Sequence, residues 1–357
     1  MRNKLSQTQR MALFWAGGLA PAAEHLPRQL ADLSGPGSWL APLLAALPLL
    51  LLLSLLSALA GERGLAASLS SVLGRKAGKG VLALYLLWGL GLLALRFRLC
   101  AQRLVDSGTR DGTLWFFLLV TAALVLWMGR GTLGAFARAG QLFLALLLTA
   151  VAVVLLLSLR PADLLRLTPA ALAPKPLLAG ALTTAGTLGW GLFVAFLPTE
   201  RAEKGSAHTL LWTLGGCGLL AMGQAVLLGC LGVGLVTRLD RPFFALTKQV
   251  GIEGAFQRVE GAAAALWTLA DLCMAGVLVF AIRYIIEEWK GRSVPWCPWL
   301  TVLGSGTMAL VLPADGAARW VPLGSLLLGL ALPSVVWGIQ RAKNQRREKF
   351  EKNEKRC

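Results

Sequence analysis

Long stretches of this chain carry no Asp, Glu, Lys or Arg at all: Leu33–Gly61, Gly112–Gly129, Ala139–Leu159, Pro176–Thr199, Gly205–Thr237, Ser293–Ala314 and Trp320–Gln340. Within them the apolar residues come in blocks, with neither the period of 2.0 of a half-buried strand nor the 3.6 of an amphipathic helix. A hydrocarbon core of about 30 Å is crossed by about 20 apolar helical residues, so these runs read as seven spanning helices. Three further apolar segments are interrupted: Met11–Ala23 runs into Glu24, His25 and Arg28, Gly80–Leu95 ends at Arg96 and Arg98, and Gly261–Ile282 carries Asp271 in its middle. Counting them predicts an all-α polytopic membrane protein of about ten helices. Between helices, Glu62–Lys79 predicts an amphipathic helix on the inner surface. Pro242–Gly254 predicts a re-entrant or interfacial helix on the outer one.

Composition agrees: 56% of the 357 residues are apolar and 15% charged, where a soluble domain carries roughly a quarter charged. A soluble enzyme, a disordered chain and a disulfide scaffold are thereby excluded. The formal charge of +17 changes meaning in a membrane protein, where basic residues mark cytoplasmic loops rather than nucleic acid. With ten spans, the N-terminus, the even-to-odd loops and the tail Arg341–Cys357 collect 21 Lys and Arg, which predicts that both termini are cytoplasmic. No nucleic-acid motif accompanies the charge. The six cysteines show no CxxC or Cys/His spacing. HExxH, GxSxG and Walker A patterns are also missing, so no cofactor and no hydrolytic chemistry is expected.

Two spans contain helix breakers. The first holds Gly17, Gly18, Leu19, Ala20 and Pro21, then Pro27; the sixth holds Gly180, Thr183, Thr184, Gly186, Thr187, Gly189, Trp190, Gly191 and Pro198. Glycine disfavours a helix interior by about 1 kcal/mol and proline by about 3. Backbone groups left unpaired at bilayer depth survive only beside a cavity or buried in protein. The two breaks lie about 170 residues apart, half the length of the chain without its tail. That spacing points to two inverted repeats, 1–159 and 160–340, followed by a basic tail, 341–357, with the binding site at the broken helices.

Polar residues inside the spans mark the other walls of such a site. A mid-membrane carboxylate costs at least about 2.5 kcal/mol, so Asp271 should face a cavity or a partner, unless it sits protonated against a backbone carbonyl. Arg96 and Arg98 fall near the outer interface, where snorkelling accounts for them. Gln224 and Thr187 fit either a ligand contact or a bond between helices. Trp88, Trp190 and Trp267 lie within spans, and Trp190, at the sixth-helix break, is placed to close over a ligand. The candidate substrate-binding set is Gly17, Gly18, Leu19, Ala20, Pro21, Trp88, Gly91, Thr184, Gly186, Thr187, Gly189, Trp190, Trp267 and Asp271. A ligand carboxylate is expected at half-helix N-terminal ends near Ala20–Ala23 or Gly189–Leu192.

Several segments also resemble one family. Leu26-Pro27, followed twelve residues after the proline by Trp39-Leu40, resembles the first-to-second helix turn of GerAB-type spore germination permeases, the B subunits of spore germinant receptors. Leu95-Arg96-Phe97 before Thr113-Leu114-Trp115 is similar to that family's third-helix exit, although Gly112-Thr113 stands where Thr-Pro is usual. Gly129–Arg138 is similar to its fourth-to-fifth loop, and Phe243–Trp267, with Arg258, Glu260 and Trp267, to its outer loop and eighth helix. The resemblance covers most of residues 5–340. It implies a LeuT-like fold of the APC superfamily with broken helices one and six. It further implies a small germinant, typically an amino acid, and A-type and C-type partner subunits in the spore inner membrane. The family's Gly-Glu pair at the sixth-helix break is Gly189-Trp190-Gly191 here, without the acid. Two alternatives stay open: an ion-coupled secondary amino-acid transporter of the same superfamily, and a membrane scaffold with a vestigial pocket.

Overall fold

A computed structural model describes residues 4–106, 113–168, 173–200, 206–249 and 259–354. Helices account for almost all of them: α1 Gln7–Ser34, α2 Leu40–Ala60, α3 Leu65–Leu73, α4 Arg75–Asp106, α5 Leu114–Arg130, α6 Leu133–Ser158, α7 Pro174–Leu188, α8 Ser206–Leu231, α9 Val233–Val236, α10 Pro242–Gln249, α11 Val259–Lys290, α12 Cys297–Val311, α13 Ala314–Leu326 and α14 Leu332–Glu354. Seven apolar segments are long enough to cross a bilayer, one of which, Gln7–Ala60, contains both α1 and α2; Leu114–Arg130 and Cys297–Val311 are shorter and equally apolar. The crossings therefore number ten among the described residues, as predicted, and the chain is a multi-pass membrane protein.

Local signals explain the boundaries. Ser6 caps α1 in a capping box, its hydroxyl accepting from Gln9 N–H while Gln9 returns a bond to Ser6 N–H. Thr132 caps α6 by accepting from Ala135 N–H, and α7 starts on Pro174, where a missing N–H costs nothing. The helix expected within Glu62–Lys79 is α3, and the one expected within Pro242–Gly254 is α10, up to Gln249; residues 250–258, which include part of that prediction and Arg258, lie outside the described residues.

The helices are not equally enclosed. In the apolar stretch of Ala264–Lys290 78% of residues are buried and in that of Pro174–Phe196 72%, against 28% in that of Ala318–Gln345. α1, α7 and α11 thus form the centre, with α1 packed on α6, α7, α8 and α11, and α11 packed on α4. The rim presents side chains such as Leu47, Trp127 and Leu211 outward, an apolar surface that fits lipid rather than water.

The two predicted breaks turned out differently. α1 is wound as α-helix from Gln7 to Ser34, with Pro21 and Pro27 inside it, so the expected loss of winding at Gly17–Pro21 is corrected. The prolines still remove two donors, leaving the carbonyls of Gly17 and Ala23 without an intrahelical partner, but packing against α6, α7, α8 and α11 holds the helical path. In the sixth span the α-winding does end, at Leu188, and Gly189–Phe196 continues as a tighter 3₁₀ helix. A third irregularity, the π-turn Leu327–Ala331, precedes Pro333, whose ring cannot donate to the Gly329 carbonyl.

Candidate functional site

Where α1 meets the sixth span, glycines admit an indole. The Trp190 ring lies against Gly17 and Gly18: a Cβ on Gly17 would sit 2.8 Å from the ring and one on Gly18 2.9 Å from its Nε1. On its other side Trp190 stacks on Phe14, centroids 6.1 Å apart and planes within 7°. Phe14 in turn occupies the space a side chain at Gly191 would need. Gly17 also touches the α11 backbone at Met274, and Gly89 of α4 receives the Phe193 ring. The inner half of the seam between α1, α4, the sixth span and α11 is thus filled with interlocking rings.

One turn outward the seam is ionic. Arg103 of α4 donates through Nε (3.3 Å) and Nη2 to the two Glu24 carboxylate oxygens and through Nη1 to Asp271 Oδ2 at 2.6 Å. All three side chains are 1% exposed. Arg96, two turns before Arg103 on the same face of α4, places Nη1 3.8 Å from Asp271 Oδ1. That is an ion pair too long to be a hydrogen bond. Two acids and two guanidiniums balance, as burial in low dielectric demands. His25 lies within electrostatic reach of the same four groups.

Both ends of the seam are covered. At the ionic end, Arg241 at the start of α10 reaches Glu24 at 3.1 Å and Asp106 at 3.0 Å, Arg28 pairs with Asp240, and Phe243 and Phe244 pack on Trp267 at 5.0 and 5.4 Å. At the opposite end, backbone hydrogen bonds close the seam. Leu5 N–H donates to Pro198 O at 2.9 Å, Glu200 N–H to Leu5 O at 2.8 Å and Thr199 N–H to Glu62 O at 3.3 Å. This strap passes over Gly64, which at φ +86° and with the Phe196 carbonyl where a Cβ would be has room for no other residue.

The residues predicted from sequence divide accordingly. Gly17, Gly18, Trp190 and Asp271 meet in the seam, and Pro21 joins them by helical spacing on α1. Leu19 and Ala20 face the other way and line a cavity of about 30 Å³ with Leu26, Pro27, Gln224 and Phe243, room for little more than water. Gln224 bonds the Pro27 carbonyl at 3.1 Å and Ser38 Oγ at 3.0 Å, so of its two open readings the interhelical one is seen. Gly186 and Gly189 let the sixth span pack on α13 at Pro322 and Ser325, and Trp88 fills the space beside Gly324 of the same helix. A Cβ added at Gly91 would meet nothing within 4 Å, so this glycine makes no close contact of that kind. The Thr184 and Thr187 hydroxyls each donate at 2.9 Å to the carbonyl four residues back, Gly180 and Thr183. Trp267 belongs to the outer cover.

Arg96 needs a correction. It is 4% exposed and held inside the protein rather than snorkelling to the interface, because α11 offers it Asp271. Arg103 and Gly89 were not singled out from the sequence, and Glu24 was read only as a charge that interrupts the first span, not as part of the site. No half-helix end exists at Ala20–Ala23, so the ligand carboxylate loses that expected anchor. Two larger apolar grooves, about 410 Å³ at Trp15, Leu148 and Trp212 and about 770 Å³ at Trp127, Phe143 and Leu272, open on the lipid-facing surface. Among the described residues no three His, Cys, Asp or Glu side chains gather to hold a metal ion.

Solved structures share this fold. The manganese transporter of Eremococcus coleocola, in a mutant form, superposes with a TM-score of 0.59 at 14% identity over 94% of this chain and 75% of that one. The same transporter with an aromatic bis-isothiourea compound gives 0.53 at 17%, over 93% and 76%. Mhp1, a nucleobase-cation-symport-1 family transporter in a closed conformation with bromovinylhydantoin bound, gives 0.53 at 12%, over 89% and 75%. At such identities the likeness establishes the fold, that of the LeuT-type transporters. No curated protein matches the chain. A profile described as "Spore germination protein" does match, over residues 4–290, and the chain therefore belongs to the spore germination protein family, a family of membrane permeases rather than enzymes.

Proposed function

We propose that this protein is the B-type subunit of a spore germinant receptor. It binds a small germinant, an amino acid in the first instance, in the seam between α1, α4, the sixth span and α11, and passes the resulting movement to A-type and C-type partner subunits. It resides in the spore inner membrane with both termini cytoplasmic, and its two five-helix halves, 1–159 and 160–340, rock against each other about the seam. The observation that carries this reading is the seam itself: four buried charges and an indole wedged between helices. A site of that kind holds ligand in pockets of about 300 Å³ or more, so the ring of Trp190 must move and Arg96 must part from Asp271 for a ligand to enter.

Ion-coupled transport is the second reading, favoured by the neighbours' description as transporters. Against Asp271 as a free proton carrier stands its engagement by Arg103 Nη1 at 2.6 Å, which leaves only Oδ1 without a hydrogen bond. Purified full-length protein in proteoliposomes separates the two. Saturable binding without uptake under imposed H⁺ and Na⁺ gradients is the expected result, and gradient-driven accumulation identifies a transporter.

A further inference from the structure

The ion cluster is unevenly satisfied. Arg103 spends donors on Glu24 and Asp271, and Glu24 has a second guanidinium in Arg241. Arg96 has no such partners: its Nε and Nη1 are buried without a hydrogen bond, and so is the Asp271 oxygen facing it, Oδ1. A guanidinium offers a carboxylate two forks, Nε/Nη2 and Nη1/Nη2, and each contains one of these free donors. Unpaired buried donors and acceptors cost about 1–3 kcal/mol apiece, and more when charged. A native core does not keep them without a use. His25 Nε2 and Trp190 Nε1 are also buried without partners, so α1, α4, the sixth span and α11 each bring unspent polarity to the seam.

Resting on the reading above, we propose that Arg96 and Asp271 form a split ion pair that recognises a zwitterion. The ligand carboxylate takes the free fork of Arg96, and its ammonium takes Asp271 Oδ1. A charge-neutral zwitterion is the ligand class that satisfies both groups at once. Insertion between atoms already 3.8 Å apart breaks no hydrogen bond, and Arg103 keeps Oδ2 of Asp271 and both oxygens of Glu24. The net charge of the cluster is unchanged, whereas a bare carboxylate or a bare amine would leave one buried charge uncompensated. Arg96 thereby supplies the carboxylate anchor that an unbroken α1 does not.

The test uses full-length protein in lipid nanodiscs and the twenty protein amino acids as single probes, read by the rise in Tm and by titration. The strongest binder is then compared with its carboxamide and with its deaminated acid. The proposal expects both analogues to bind at least about 30-fold more weakly, the range given by losing a hydrogen bond to a charged group. It expects Arg96→Lys, which keeps the charge and loses the fork, to weaken the amino acid about tenfold or more with the Tm of the unliganded protein within a few degrees of wild type. Because the analogue series uses the wild-type chain, it decides even if Arg96→Lys fails to fold. Equal binding of amino acid, carboxamide and acid, or binding only of a nucleoside or sugar probe, overturns the zwitterion site and leaves the germinant-sensor reading standing. No response to any amino acid, nucleoside or sugar overturns that reading and this inference together.

Discussion

The two halves of the central seam are closed by opposite chemistries. Inward, rings sit on glycines: Trp190 against Gly17 and Gly18, Phe14 against Gly191 and Phe193 against Gly89. Outward, Glu24, Asp271, Arg96 and Arg103 face one another in a nearly dry layer. A ring-on-glycine contact is specific for shape and opens only by separating surfaces that fit. An ionic layer is specific for charge and can exchange one partner for another at little net cost, provided the incoming group balances it. The outer layer is thus suited to recognition and the inner one to registering that recognition as movement.

The largest effect should come from breaking the ionic half at its centre. Arg103→Met strands Glu24 and Asp271 beside a smaller positive charge, and removing one member of a buried pair costs about 3–5 kcal/mol. A fall in Tm of many degrees, or loss of folded protein, is the expected outcome, and restoration in an Arg103→Met, Asp271→Asn double variant would show that the stranded charge is the cause. Next is the shape of the inner half. Gly18→Leu must displace Trp190, an overpacking cost of about 1–3 kcal/mol, and should abolish ligand response in whatever fraction folds.

Those two halves were not equally legible in the sequence. The glycines and Trp190 announced themselves, because a Gly-rich stretch in a spanning helix has few physical explanations. What they could not reveal is which neighbour each one faces: Gly186 and Gly189 look like a break and serve also as a landing for α13. The ionic half was misread at Arg96, since distance along a helix measures depth but not company. Its partners stand 79 and 168 residues from Arg103 in the chain, beyond any local pattern. The first helix was misjudged for a related reason. Proline deletes hydrogen bonds at a fixed position, whereas whether the chain then unwinds is decided by packing from α6, α7, α8 and α11. The fold itself was plain, because charge-free runs of bilayer length leave one architecture class.

Smaller effects sharpen the contrast. Arg241 is 25% exposed, so Arg241→Gln should cost at most about 1 kcal/mol after solvent screening, while increasing the rate of ligand association by loosening the outer cover; stopped-flow binding reads it. Thr187→Val should be nearly silent, within about 0.5 kcal/mol in stability and without change in affinity, because its hydroxyl is already spent on Thr183 O. A large loss of affinity there would move the site toward the middle of α7 and away from the ionic layer.

Trp190 must move and Arg96 must part from Asp271 for a small molecule to enter, and density for the liganded protein reports both at once. In a cryo-EM map of the full-length chain with its strongest-binding amino acid, the account expects ligand density between α1, α4, the sixth span and α11, with the Trp190 ring displaced from Gly17 and Gly18. Ligand density in a lipid-facing groove, with Trp190 still stacked on Phe14, would contradict it.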